Sequence, residues 1–136
     1  MTNARPLIAV VDDDEPIRKA LGRLLRSFGL KVESFPSGAE FLESLSTHKP
    51  DCLVLDLHMP GVNGFEVQDW LGESDMEVPV VIITGHDSVE TRERAMKAKP
   101  IAFLRKPVND QVLRDAIELA LGHKPQVTAN NRGLIN

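Results

Sequence analysis

The sequence predicts an α/β fold in which one parallel sheet is covered by helices on both faces. Short apolar runs alternate with stretches whose apolar residues recur at helical spacing, the pattern of successive β-α units. Four of those runs, residues 7–11, 52–55, 80–83 and 101–104, are uncharged and short enough to be buried strands. Polar chemistry follows each of them: Asp12-Asp13-Asp14, Asp56, Thr84-Gly85 and Lys106-Pro107. If the strands are parallel neighbours, these groups meet along one edge of the sheet. At 136 residues the chain has the size of one domain and can bury a real core.

The first strand leads to a helix carrying Ile17, Leu21, Leu24, Leu25 and Phe28 on one stripe. Asp14 or Glu15 can cap it, Pro16 suits its first turn, and Gly29 can close it. A second strand over 31–34 precedes a capping-box pattern, Ser37 to Glu40, and the apolar residues Phe41, Leu42 and Leu45. The Asp56 strand is turned by Met59-Pro60-Gly61, and a helix over 63–71 contains Phe65, Val67 and Trp70. Pro79 opens the fourth strand, where a missing N–H is tolerable. Asp87 or Ser88 starts a helix with a thin stripe of Val89, Ala95, Met96 and Ala98, expected to be weakly anchored. Asn109 caps the last helix, which turns Val112, Leu113, Ile117, Ala120 and Leu121 inward. The domain is therefore placed at 1–122, with 123–136 a polar tail or linker stub.

A formal charge of −4 and a pI near 5.5 give no broad footprint for nucleic acid, so no direct nucleic-acid binding is expected. Arg92, Arg94, Lys97, Lys99 and Arg105 form a local basic cluster, read as a solvated helix face. Cys52 is the single cysteine and has no internal disulfide partner, which fits a reducing compartment. No apolar stretch approaches a membrane span and no leader pattern opens the chain, so the expectation is a cytoplasmic protein without a membrane partner.

Several carboxylates at adjacent strand ends repel one another unless a cation or strong hydrogen bonds offset them. Helix capping accounts for Asp14, but not for Asp56 on a different strand. Mg²⁺ suits the set, because it takes oxygen ligands and is held by one or two carboxylates together with phosphate oxygens.

The set Val11-Asp12-Asp13-Asp14, Asp56-Leu57-His58-Met59-Pro60 with Gly64, Ile83-Thr84-Gly85, and Phe103 ahead of Lys106-Pro107 resembles the receiver domain of two-component response regulators. The resemblance spans about residues 5–121, and Ala95-Met96-Lys97-Ala98 looks most like the nitrogen-fixation regulator type, which usually precedes a helix-turn-helix output domain. It implies a flavodoxin-like (βα)5 sandwich with five parallel strands in the order 2-1-3-4-5. By the same resemblance Asp56 is the phosphoacceptor, supplied by a phosphohistidine on a sensor histidine kinase or phosphotransfer protein. Asp13 and Asp56 would bind Mg²⁺ directly, Asp12 through water, and the backbone carbonyl of His58 would complete the set. Lys106 would pair with phosphoryl oxygens and Thr84 would hydrogen-bond one of them, the charge stabilisation that phosphoryl transfer needs. Thr84 and Phe103 would form the switch, Pro107 would follow a cis bond, and phosphorylation would promote a homodimer or dock an output domain, with transcription the expected output.

One departure stands out: relatives usually carry Gly-Ala where this chain has Lys99-Pro100, so the loop should be stiffer and the preceding helix should end early. The family positions of His58 and His86 influence acyl-phosphate lifetime; a histidine–carboxylate zinc site lacks the usual accompanying motif. Other functions fit less well. An aspartyl-phosphate phosphatase needs an acid two residues after its nucleophile, where His58 stands. A cofactor binder needs a Gly-rich or Ser/Thr-rich phosphate loop after the first strand, where three aspartates stand. The expected activity is thus self-catalysed phosphoryl uptake and loss without turnover of an external substrate. The alternative is a receiver-like protein-interaction module that works without phosphorylation.

Overall fold

The computed structural model describes residues 5–122, so the expectation of a polar tail over 123–136 lies outside the described residues. Ten elements alternate: β1 Leu7–Val11, α1 Glu15–Ser27, β2 Lys31–Phe35, α2 Gly38–Ser44, β3 Cys52–Asp56, α3 Gly64–Glu73, β4 Val80–Thr84, α4 Val89–Met96, β5 Ala102–Arg105 and α5 Asp110–Ala120. All four strand pairings are parallel, and the order across the sheet is β2-β1-β3-β4-β5. The α/β class and the 2-1-3-4-5 order are therefore as expected. Boundaries move by a residue: β2 runs on to Phe35, and β5 starts at Ala102 and ends at Arg105.

The period of two along each strand divides the core into two layers. Ala9, Val11, Leu53, Leu55, Val80, Ile82 and Phe103 face α2, α3 and α4, where Phe41, Phe65, Val67, Leu71 and Ala95 meet them. Ile8, Val10, Cys52, Val54, Val81, Ile83, Ala102 and Leu104 face α1 and α5, against Leu21, Leu25, Leu113, Ala116 and Ile117. Strands β3 and β4 are buried on both faces, which is why they read as uninterrupted apolar runs.

Local chemistry fixes where each helix begins. Asp14, Ser37, Asn63, Ser88 and Asn109 each accept a backbone N–H three residues on, and each such cap contributes about 1 kcal/mol. Asn63 and Glu66 close a full capping box, so α3 starts immediately beyond the loop that follows Asp56.

Two apolar residues do not sit where their hydrophobicity suggests. Trp70 is 37% exposed and Val89 is 72% exposed. Phe65, Gln68 and Leu71 share the buried side of α3, and Trp70 lies one residue off that row. Gln68 is buried instead, and its amide donates to the Ala95 carbonyl at 3.1 Å, tying α3 to α4. Helix α4 buries only Thr91 and Ala95 and leaves Ala98 exposed beyond its end, a thin anchor for a whole helix. It stops at Met96 as Pro100 demands, and Lys99 takes φ 54°. A left-handed backbone at a side-chain-bearing residue costs roughly 1–2 kcal/mol, which Gly would relieve. The basic cluster here is only partly solvated. Arg92 lies 4.6 Å from the Phe103 ring centroid, Arg94 lies 4.2 Å from that of Phe65, and Asp87 binds both Arg92 and Arg105.

Candidate functional site

The parallel register brings the polar strand ends together. Asp56 is the last residue of β3 and pairs with Ile83, one residue before Thr84; Val11 pairs with Leu55, so Asp12 emerges beside Asp56. Asp12, Asp13, Asp14, Asp56, His58, Gly85, His86 and Lys106 line an open cavity of about 430 Å³ at this C-terminal edge. This is the edge where open parallel sheets bind ligands.

Three of the acids, Asp12, Asp13 and Asp56, offer carboxylate oxygens within 4.8 Å of one another. Asp12 is wholly buried, Asp56 is 3% exposed, and Asp13 faces solvent. Lys106 is the cation among them, with Nζ 2.8 Å from Asp12 Oδ2 and 3.4 Å from Asp56 Oδ1. The 2.8 Å approach lacks hydrogen-bond alignment, so the buried Asp12 Oδ2 has no directed donor. The other oxygen, Oδ1, accepts the Asp14 N–H at 2.9 Å, while the Arg18 guanidinium donates to the Asp12 carbonyl at 2.7 Å. Burial, followed by the Asp12 charge, pushes the Asp56 carboxyl up to about 6 even though Lys106 opposes the shift. The Lys106 ammonium is held above the ordinary lysine range: burial lowers it, but Asp12 and Asp56 together outweigh that.

These groups fit Mg²⁺ on chemical grounds. The donors are hard oxygens, one buried oxygen lacks a directed partner, and a single ammonium faces three carboxylates.

Thr84 is buried, and its hydroxyl turns back on its own loop. It accepts the His86 N–H at 3.0 Å and donates to the His86 carbonyl at 3.1 Å. Phe103 is already packed inward beneath Arg92. The Lys106–Pro107 peptide is cis. His58 and His86 stand on the loops after β3 and β4 with ring centroids 5.2 Å apart. Sequence reasoning did not anticipate Arg18, whose only signal is its position one turn into the helix that follows the aspartates. It also passed over the close fit at Gly64. A Cβ there would lie 2.5 Å from the Asp56 carbonyl oxygen and 2.7 Å from Leu57 Cα, so no side chain fits without moving β3.

Gly64→Ala is accordingly expected to destabilise the protein by about 2–3 kcal/mol. It should also shift the amide resonances of Asp56 and Leu57. Unchanged urea denaturation together with unchanged shifts would contradict this contact.

A doubly wound parallel sheet with an acid-lined, lysine-bearing cup at its C-terminal edge defines a phosphoryl-accepting class of α/β protein. The chain belongs to the response regulator receiver domain family, whose pattern it matches over residues 8–118. It is 39% identical over 118 residues to Nodulation protein W of Bradyrhizobium diazoefficiens, covering 87% of this chain and 52% of that protein. It is 38% identical over 116 residues to Transcriptional regulatory protein FixJ of Rhizobium meliloti, covering 85% and 57%. A response regulator receiver protein from Burkholderia phymatum superposes with a TM-score of 0.79 at 43% identity, covering 90% of this chain and all of that one. The chain thus spans about half the length of the curated relatives it matches. It is a receiver of two-component signalling, a role that implies a histidine kinase partner, and a FixJ regulator is among its relatives. No helix among the described residues is long and apolar enough to cross a membrane.

Proposed function

We propose that Asp56 accepts a phosphoryl group from phosphohistidine on a sensor histidine kinase or phosphotransfer protein, and that its acyl phosphate controls an output through α4, β5 and α5. The observation that carries this reading is the Asp56 carboxylate itself. It is buried at a strand end, faces a cup, and stands 3.4 Å from an ammonium and beside two further acids. In the transfer, an Asp56 oxygen bonds to phosphorus as the P–N bond breaks, and the imidazole leaves with that electron pair. Lys106 offsets charge on the phosphoryl oxygens, and Asp12, its ion-pair partner, positions it. Asp13 and Asp56 would hold Mg²⁺ directly, with Asp12 through water and the His58 carbonyl completing the set. Bound Mg²⁺ supplies further neutralisation of the phosphoryl oxygens. Loss of the phosphoryl group by hydrolysis resets the site, and no external substrate is turned over.

Thr84 links the site to the rest of the domain. Its hydroxyl can leave the His86 backbone for a phosphoryl oxygen only if the loop before α4 rearranges, and α4 is the thinly anchored helix. A regulator of transcription that dimerises on phosphorylation is the output this reading favours. The probe is beryllofluoride with Mg²⁺. Wild type should show shifted amide resonances along residues 84–105 and altered self-association. Thr84→Ala should bind the probe but lose those distal responses; a Thr84→Ala variant that switches like wild type contradicts the relay.

A further inference from the structure

We propose that His58 and His86 form a second cation site, a two-imidazole chelate for a borderline transition ion such as Ni²⁺ or Zn²⁺, distinct from the three-carboxylate set. The two residues sit on loops that follow adjacent parallel strands, each two positions past the strand's last residue, Asp56 or Thr84. Their ring centroids are 5.2 Å apart and their planes cross at 83°. A tetrahedral ion bound to two imidazole nitrogens at about 2.0–2.1 Å holds the ring centroids roughly 5 Å apart, so the pair is already spaced for chelation.

Three further features favour a ligand over a simple edge-to-face ring contact. Among the described residues, neither imidazole makes a hydrogen bond or ion pair, whereas His48 is engaged with Glu33 at 2.6 Å. Both histidines line the same cavity as Asp12, Asp13, Asp14 and Asp56, whose negative charge favours any dication at its mouth. The backbone of His86 is pinned at both its N–H and its carbonyl by the Thr84 hydroxyl, which limits the loop rearrangement that binding requires.

Ligand softness separates the two sites. Carboxylates suit Mg²⁺ and Mn²⁺, whereas imidazoles suit Zn²⁺, Cu²⁺ and Ni²⁺. The remaining coordination positions of the chelated ion face solvent, so water completes the shell. The proposal concerns the imidazoles alone and stands whether or not Asp56 is the phosphoacceptor.

Titration calorimetry of the full chain with Ni²⁺, in millimolar Mg²⁺ to engage the carboxylates, is the test. One saturable equivalent is expected. Its affinity should fall at least about tenfold in His58→Gln and in His86→Gln, and should be unchanged in His48→Gln. Both histidines are exposed, and melting of each variant in EDTA verifies that the fold is kept. Paramagnetic broadening by Ni²⁺ in the unsubstituted protein, centred on the His58 and His86 rings, reads the same site without a mutation. Absence of saturable binding, binding that survives either substitution at full strength, or broadening centred elsewhere overturns the proposal.

Discussion

Asp56→Asn is expected to stabilise the protein at neutral pH in EDTA by about 1–2 kcal/mol, while removing its ability to take up phosphate. The carboxyl titrates near 6 in the folded protein because it is buried beside Asp12, against an ordinary value of 3.8 in the unfolded chain. Between those values the folded state holds a proton that the unfolded state has already lost. Stability contributed by this group therefore falls as pH rises from about 4 to about 6, and the penalty is constant above that. A displacement of two units corresponds to nearly 3 kcal/mol as an upper bound. The rim is open to water, so screening reduces the realised figure. Asparagine keeps the shape and drops the charge. The variant's advantage should thus be full above pH 6.5 and vanish below about pH 4. Adding Mg²⁺ should shrink or reverse it, because only wild type retains the full set of carboxylates. Urea denaturation across that range measures this. An Asn variant less stable than wild type in EDTA at neutral pH, or a difference that ignores pH, contradicts the account.

Lys106→Met should act in the opposite sense and by more, costing about 2–3 kcal/mol in EDTA. Removing one partner of a buried ion pair leaves the other charge without compensation, typically at about 3–5 kcal/mol. Lys106 is partly exposed, which lowers the figure; Asp12 is wholly buried, which keeps it large. The ammonium's pKa is raised, so its stabilising contribution is fully present below the ordinary lysine value and is lost only as pH climbs through the higher folded value. The deficit of the variant should therefore be flat from neutral to mildly alkaline pH, and should narrow in acid as the carboxyls protonate. Millimolar Mg²⁺ should recover part of it. A double-mutant cycle with Asp12→Asn isolates the pair, with a coupling of at least about 1 kcal/mol expected. No coupling would mean that the 2.8 Å contact carries no energy.

The two variants mark what the sequence makes legible. An acid ending an uncharged β-branched run already signals a charge at the edge of a core, and that inference needed no coordinates for Asp56, Thr84 or Lys106. The helix caps were equally readable, because Ser, Asn and Asp three residues before an available N–H perform a local task. The strand order is a different matter. Periodicity says nothing about which parallel strands are neighbours, and the order came from resemblance before TOPO-level pairing of the strands was visible in the fold.

What escaped the sequence depends on direction and on long-range partners. Gln68 shares the buried row of Phe65 and Leu71, yet polarity concealed it; its partner, the Ala95 carbonyl, lies 27 residues away. Trp70 drew attention by size and sits outside that row. Asp115 is buried on α5 with Gln111 donating to it at 2.9 Å, a pairing flanked by apolar neighbours that suggest burial but not its cause. The Thr84 hydroxyl had two plausible destinations, the phosphoryl site or its own turn. Only the geometry shows that it now satisfies the His86 backbone.

Intact mass after incubation with acetyl phosphate and Mg²⁺ is the most direct test of the claim that this cup makes one aspartate accept phosphorus. Wild type should gain a roughly 80 Da adduct that is lost on standing and absent from Asp56→Asn. An adduct of the same size and yield on Asp56→Asn, or none on wild type with donor and metal saturating, would contradict it.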